Sequence, residues 1–171
     1  MKVEYHIEGV GTHYRKIPNI PTEAIKEGFT FDSWSKIYLQ STHNMDANRV
    51  TLGAHTSTDD SYQIAGLRDG DAVFNMPNAD WDNLKSTYGL TDTQIFDIFN
   101  KPFLEEVLEA GKPIRYTHRP YIMRHLPDLE EHQIKNTLDR EFFHLNQNGY
   151  IKTKETPAPL GGPEEVHQWR P

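Results

Sequence analysis

The clearest pattern along the chain is a series of apolar positions at helical spacing between residues 95 and 108. Its members are Ile95, Ile98, Phe99, Phe103, Leu104, Val107 and Leu108. Thr91 and Gln94 precede the series at the spacing of a reciprocal capping box, and Gly111 follows it where a helix would end. The spacing predicts one amphipathic helix, bent at Pro102 because proline lacks the amide hydrogen that a helix interior needs.

Two further runs predict shorter helices. One covers residues 59–67, and the other opens at Asp128, with Glu131 three residues later, and ends at Gly149. The apolar face of the second contains Leu129, Ile134, Leu138, Phe142 and Leu145. Both runs follow polar residues of the kind that begin helices.

The first 49 residues have a weaker pattern. Thr22 fits the cap of a short helix that Gly28 ends. The segment FDSWSKIYLQ that follows fits either a strand or a helix. We treat residues 1–49 as an N-terminal segment that packs on a domain formed by residues 50–171.

Short β-prone runs alternate with the helices. They cover residues 50–52, 72–76, 113–117 and 150–154. This alternation predicts a single α/β domain, with a mostly parallel sheet of about four strands and flanking helices. Beyond the last strand, ETPAPLGGPEEVHQWRP is rich in turn-forming residues and predicts a loose tail anchored by Trp169.

In α/β sheets, ligands bind beyond the carboxyl ends of the strands. That rule selects the loops at residues 53–60, 75–80 and 118–121. In the first loop, Thr58, Asp59 or Asp60 fits the N-cap of the helix that follows, and acidic groups suit the helix dipole there. Capping therefore accounts for these residues without a catalytic role.

His55 in the first loop and His118 in the third are the candidate proton carriers. An imidazole can give or take a proton near neutral pH, and capping does not require His55. Arg119 stands beside His118 in RYTHRPY and suits a site where negative charge develops. The alternative is that these side chains belong to ordinary surface loops.

Composition narrows the function classes. The net charge of −7 and the lack of a Lys/Arg run argue against a nucleic-acid-binding protein, although an acidic protein can still carry a local basic groove. The absence of cysteine excludes disulfides and thiolate chemistry, and no HExxH, GxSxG, P-loop or GxGxxG motif occurs. We predict no metal site and, since no apolar run approaches about 18 residues, no membrane insertion.

The order of several short motifs resembles a C-terminal toxin domain of bacterial polymorphic toxins of the Rhs and contact-dependent types. The motifs are THN, RVTLG, DDSY, AVFN, IFNKPFLEEVLEAGKPI, YTHRPY, REFFHLNQNGYI and HQW, across residues 43–169. Matching positions are His43, Asn44, Leu52, Gly53, Ser61, Tyr62, Phe74, Asn100, Phe103, Leu104, Gly111, His118, Pro120, Glu141, Gly149, Tyr150 and Trp169. The polar candidates among them are His43, Ser61, Tyr62, His118 and Glu141.

This resemblance implies an effector that is secreted or delivered as part of a larger protein. It would act in the target-cell cytoplasm and be neutralised in the producer by a cognate immunity protein. It brings no catalytic mechanism with it, and residues 1–42 match no part of the pattern.

A second stretch, HYRKIPNIPTEAIKEGF with HTSTDDSYQIA downstream, is similar to the opening of ADP-ribosyltransferase toxins. The similarity implies that Arg15 holds a phosphate of NAD and that residues 56–58 support the site. A catalytic glutamate would then be Glu164 or Glu165. The predicted α/β alternation fits that fold poorly.

Three hypotheses follow. The first is a toxin enzyme acting on NAD or another nucleotide, by glycosidic cleavage or ADP-ribosyl transfer, with NAD as substrate rather than cofactor. The second is a nuclease toxin with His55 or His118 as general base and Arg119 on the phosphate. The third is a non-catalytic interaction domain.

Overall fold

The computed structural model describes residues 2–7, 11–16, 28–55, 61–156 and 165–169. In chain order, its strands are β1 (Lys2–Ile7), β2 (Gly11–Lys16), β3 (Thr42–His43), β4 (Val50–Leu52), β5 (Val73–Phe74), β6 (Ile114–Tyr116), β7 (Ile151–Thr156) and β8 (Glu165–Trp169). Its α-helices are α1 (Phe31–Ser41), α2 (Tyr62–Arg68), α3 (Asn78–Tyr88), α4 (Asp92–Ile95), α5 (Lys101–Ala110) and α6 (Thr137–Gln147). Short 3-10 helices cover Tyr121–His125 and Glu131–Gln133. The predicted α/β class is confirmed.

The chain contacts divide into two units, one of residues 1–41 with 76–102 and the other of residues 42–75 with 103–171. The first unit contains the antiparallel β1–β2 hairpin and helices α1, α3 and α4. The ambiguous segment FDSWSKIYLQ is helix α1, where Trp34 and Tyr38 stack with ring centroids 5.5 Å apart. The helix predicted from Thr22 lies outside the described residues.

The long helix predicted around residues 95–108 is present with one irregularity. Thr91 and Gln94 form the predicted capping box, and Gly111 follows the helix at a φ of 65°. Between α4 and α5, the turn Phe96–Asn100 widens into a π-helix directly before Pro102. The interruption therefore lies where proline removes a helical amide hydrogen.

The second unit is built on the sheet β4-β6-β8-β7. Among the described strands, only β4 and β6 form a parallel ladder, with Leu52 opposite Tyr116, and a parallel bridge joins Val50 to Ala72 just before β5. The pairs β3–β5, β6–β8 and β7–β8 are antiparallel. Most of the described strand pairs are antiparallel, so the prediction of a mostly parallel sheet is only loosely borne out, while a single α/β domain still fits.

The predicted loose tail is wrong for residues 165–169, which form β8 between β6 and β7. Val166 and Gln168 are buried, and the Tyr116 hydroxyl donates a hydrogen bond to Gln168 Oε1 at 2.5 Å. The preceding Gly/Pro-rich residues gave no sign of a strand whose partner, β6, lies about fifty residues earlier in the chain. The side chain of Trp169 lies outside the described part.

Helices cover both faces of the central strands. On one face, α2 approaches so closely that a Cβ on Gly66 would lie 2.2 Å from Val73 Cγ1. On the other, Phe103 of α5 contacts Phe74, and Phe142 of α6 contacts Tyr116, each with ring centroids 5.6 Å apart. The sheet is therefore a middle layer, as expected of an α/β domain.

Two predicted helix starts are wrong. Helix α2 begins at Tyr62 with Ser61 as its N-cap residue, so neither Thr58 nor an aspartate of the loop is the N-cap. Helix α6 begins after Asn136, whose side chain accepts a hydrogen bond from the Asp139 N–H at 2.8 Å. Asparagine is as good an N-cap as aspartate, because its side-chain oxygen accepts a hydrogen bond from one of the free amides of the first turn.

Candidate functional site

The first and third predicted loops lie side by side at the carboxyl ends of β4 and β6. The Thr117 N–H donates to the Leu52 carbonyl at 2.9 Å, and the Ala54 N–H donates to His118 Nδ1 at 3.2 Å. This juxtaposition follows from the parallel β4–β6 ladder, since parallel strands end at the same edge of a sheet. The second loop is short, because α3 begins at Asn78.

His118 is half-buried and its ring is fixed by two groups. Besides the Ala54 N–H, the Thr117 hydroxyl lies 2.9 Å from the same Nδ1 atom. A backbone N–H can only donate, so Nδ1 is an acceptor and the ring proton is assigned to Nε2. The Ala54 N–H and the Thr117 hydroxyl therefore set the orientation of the His118 ring.

Gly53 allows this close arrangement. A Cβ built on Gly53 would lie 2.0 Å from Thr117 Oγ1, 2.8 Å from the Tyr62 Cβ and 3.3 Å from His118 Nδ1. No side chain can occupy that space, so glycine lets the β4 end, the β6 end and the start of α2 meet. Tyr62 thereby comes next to the His118 loop.

Tyr62 connects this edge to Glu141 of α6. The Tyr62 hydroxyl donates a hydrogen bond to the Phe74 carbonyl at the end of β5. Burial, and then the charge of Glu141, raise the pKa of Tyr62 above its usual range, and the same two causes act on the pKa of Tyr116. Both tyrosines therefore lie within electrostatic range of the Glu141 carboxyl.

Glu141 is only 6% exposed. Burial raises its pKa to about 8, so this carboxyl carries its proton at neutral pH. A protonated carboxyl is an unusual group, and groups with strongly shifted pKa values concentrate at functional sites. In the sequence, Glu141 lies on the same helix face as Leu138, Phe142 and Leu145, and this position already indicated that it would be buried.

The other predicted site residues have different surroundings. Ser61 is buried, and among the described residues none forms a hydrogen bond with its Oγ. His55 and Arg119 are exposed on the two adjoining loops. His43 is exposed on β3, opposite Val73, and is not part of the β4–β6 edge.

Most of the side chains implied by the ADP-ribosyltransferase similarity lie outside the described part. Arg15 pairs through its backbone with Val3 in the β1–β2 hairpin, and its side chain lies outside the described residues, as do residues 56–58 and Glu164. Glu165 is the first residue of β8, opposite Thr156. The structure therefore does not test that set.

A partly buried ionic cluster around Arg115 was not predicted. Arg115 of β6 contacts Asp69 at 2.6 Å and Asp71 at 3.4 Å, and Arg49 also contacts Asp71 at 2.9 Å. The Thr51 hydroxyl donates to Asp71 Oδ2 at 2.6 Å and accepts from Arg115 Nη2 at 3.0 Å. This cluster joins β4, β6 and the end of α2, so it supports the edge that holds His118.

The described residues contain neither a metal-ligand cluster nor a membrane-spanning helix. No group of three or more His, Asp or Glu side chains is placed there to hold a metal ion. Equally, none of the described helices has both the length and the apolar character that a membrane span requires.

Comparison of the chain with known protein families, curated proteins and solved structures finds no match.

Proposed function

We propose that the protein is an enzyme that cleaves a bond of a nucleotide by general acid–base catalysis at the β4–β6 edge. The observation that carries the proposal is the close approach at Gly53 of Thr117, Tyr62 and His118, with the buried Glu141 carboxyl within electrostatic range of Tyr62. Two positioned proton donors suit a reaction in which a leaving group must be protonated.

In this mechanism, the bond to the leaving group breaks and its electron pair takes the proton of Glu141. Water adds to the other side of the broken bond and passes its proton to His55 on the exposed loop. Arg119 binds a phosphate of the substrate, because its planar guanidinium matches phosphate oxygens. His118 donates a hydrogen bond from Nε2 to the oxygen that gains negative charge.

The protonation state of Glu141 separates two types of glycosidic substrate. Nicotinamide leaves NAD as a neutral ring and needs no proton, so NAD cleavage would use the ionised carboxylate, which forms as the pH rises through about 8. A purine or pyrimidine base needs a proton to leave. The neutral Glu141 therefore favours the second type at neutral pH, with NAD remaining the simplest substrate to test.

A second candidate function is a nuclease. His55 and His118 lie on adjoining loops, with the exposed Arg119 next to them. Phosphodiester cleavage needs a base for the attacking oxygen, a cation on the phosphate and an acid for the leaving oxygen. These residue types supply all three.

The resemblance to polymorphic toxin domains supports a toxin role with a cognate immunity protein, and both are part of the proposal. Expression of the chain in a bacterial cytoplasm should stop growth, and His118→Ala should restore it. If the His118→Ala chain is as toxic as the unchanged one, the proposal that the protein is an enzymatic toxin is wrong.

The decisive assay incubates the purified full chain with NAD, a mononucleotide mixture, RNA and single-stranded DNA in parallel. His118→Ala and Glu141→Gln should abolish turnover of the true substrate. His132→Ala is the matched control, since His132 is exposed and lies on a separate 3-10 turn. Cleavage that falls as the pH rises through about 8 indicates Glu141 as acid, whereas cleavage that rises indicates its carboxylate. No turnover of any of the four substrates would disprove the proposal.

A further inference from the structure

The segment that follows β6 is basic in an acidic chain. Residues 110–127 contain four Lys or Arg side chains and two His side chains but no Asp or Glu, although the net charge of the protein is −7. Arg119 and Arg124 of this segment are exposed and lie on either side of Tyr121 in the sequence. Arg115 is buried against Asp69 and Asp71, so the exposed positive charge that follows His118 in the sequence comes from Arg119 and Arg124.

Tyr121 and Arg124 form an exposed stacked pair, which we call the stacking platform. The Arg124 Cζ lies 3.5 Å from the centroid of the Tyr121 ring, and Arg124 Nε donates to the Tyr121 carbonyl at 3.2 Å. Tyr121 is 38% exposed, so part of its ring is open to solvent. Aromatic rings and guanidinium planes are both surfaces on which nucleic-acid bases stack.

Buried neighbours hold the stacking platform in place. Ile122 and Met123, which lie between its two residues, are buried. The Ile122 N–H donates to Asp139 Oδ1 at 3.0 Å, and the fully buried Asp139 also accepts from the Lys135 N–H at 2.9 Å. The turn is therefore already ordered, which lowers the entropic cost of binding a ligand.

We propose that the stacking platform binds single-stranded nucleic acid, so that the substrate of the neighbouring site is a nucleotide within a strand. This inference rests on the proposed function, because it assumes a substrate built of nucleotides. Tyr121 follows His118 by three residues, so their Cα atoms are at most about 11 Å apart. A strand stacked on Tyr121 would place an adjacent nucleotide at the β4–β6 edge.

The combination of groups favours a single strand over other anionic partners. In a duplex the bases are already stacked on each other and cannot pack on Tyr121. An acidic peptide would pair with Arg119 and Arg124 but would gain nothing from the ring. Only an unpaired strand uses both the positive charge and the flat surface.

The test measures fluorescence anisotropy of labelled strands with the full-length His118→Ala chain, which binds without cleaving. The probes are a mixed-sequence RNA of about 12 nucleotides, its DNA equivalent, a duplex of the same sequence and polyglutamate. We expect both single strands to bind more tightly than the duplex and polyglutamate. Tyr121→Ala should weaken strand binding by about 10-fold or more, and Tyr121→Phe should retain it.

Arg124→Gln should weaken binding and lower the slope of log affinity against log salt by about 0.7, the value for one phosphate contact to a single strand. Lys36→Gln removes the same charge from an exposed position of helix α1 and is the matched control. Equal binding of the duplex, equal binding of polyglutamate, or an unchanged affinity in Tyr121→Ala would each overturn the inference.

Different experimental results would disprove the two proposals. If the strands bind as expected but the unchanged protein turns over none of the four substrates, the stacking platform stands and the proposed enzyme activity is disproved. If NAD or a free nucleotide is consumed and no strand binds, the enzyme stands and the stacking platform is wrong.

Discussion

The indole N–H of Trp34 donates a hydrogen bond to the carbonyl oxygen of Ile98 at 3.1 Å. Ile98 lies four residues before Pro102, so its carbonyl is the one that a helical amide at position 102 would have reached. Trp34 is fully buried and Ile98 nearly so. A tryptophan from α1 thus satisfies an acceptor that proline cannot serve.

Trp34→Phe should destabilise the protein by about 1–3 kcal/mol for the unpaired carbonyl alone, with a further loss from the smaller ring. Pro102→Ala supplies an amide hydrogen at the right position. The loss should therefore be smaller when Trp34→Phe is made in the Pro102→Ala background. Urea unfolding of the two single variants and the double variant measures this coupling, and strictly additive losses would contradict it.

Glu141 should make stability depend on pH. An unfolded chain ionises this carboxyl near the ordinary value of 4.5, whereas the folded protein keeps the proton until about 8. Between those values, rising pH favours the unfolded state, and the free energy of unfolding should fall by up to about 1.4 kcal/mol per pH unit. Above about 8 both states are ionised and this contribution stops changing.

Glu141→Gln should remove that slope and be more stable than the unchanged protein near pH 8. Urea unfolding at about pH 5, 7 and 9 measures the difference. Glu109→Gln is the control, because Glu109 is exposed. Parallel stability curves for Glu141→Gln and the unchanged protein would show that the carboxyl is ionised in the fold.

Thr51→Val preserves shape but removes the hydroxyl that joins Asp71 to Arg115. We expect a loss of about 3 kcal/mol, because a buried carboxylate and a buried guanidinium each lose a hydrogen bond. Thr87→Val on the exposed face of α3 is the matched control and should change stability by less than about 0.5 kcal/mol. A comparable effect of the two substitutions in thermal unfolding would mean that the hydroxyl contributes little.

Gly53→Ala should displace the His118 loop, since the new Cβ would overlap Thr117 Oγ1. We expect both a lower melting temperature and a changed NMR shift of the His118 ring. Gly89→Ala is the control: Gly89 has a φ of 65° but open space around it, so only backbone strain of about 1 kcal/mol is added. An unperturbed His118 signal in Gly53→Ala would contradict the close packing.

Much of the fold could be predicted from local signals in the sequence. The capping box at Thr91 and Gln94 and the strand at β4 depend on neighbouring residues, and both are present. The strand β8 depends on partners far away in the chain, so its own composition could not reveal it. The same limit applies to the direction of pairing, which no short segment specifies.

The site, too, could be predicted only where neighbouring residues determine it. The rule for the carboxyl ends of strands selected the His118 loop, and Gly53 marked the close approach. The Thr51–Arg115 contact depends on the register of two strands 64 residues apart, which the sequence does not state. Glu141 was named through a resemblance, but its protonation follows from burial that only the packed helix produces.

The position of β8 determines the order in which the sheet can form. A ribosome extends a chain from its amino end, so β6 and β7 are both made before the strand that lies between them. Among the described strands, β7 pairs only with β8, and therefore it has no hydrogen-bonded neighbour until residues 165–169 emerge. The last strand to be synthesised, β8, therefore completes the sheet by inserting between β6 and β7. In a nascent chain that ends at Thr156, the strand that joins β6 to β7 is still missing.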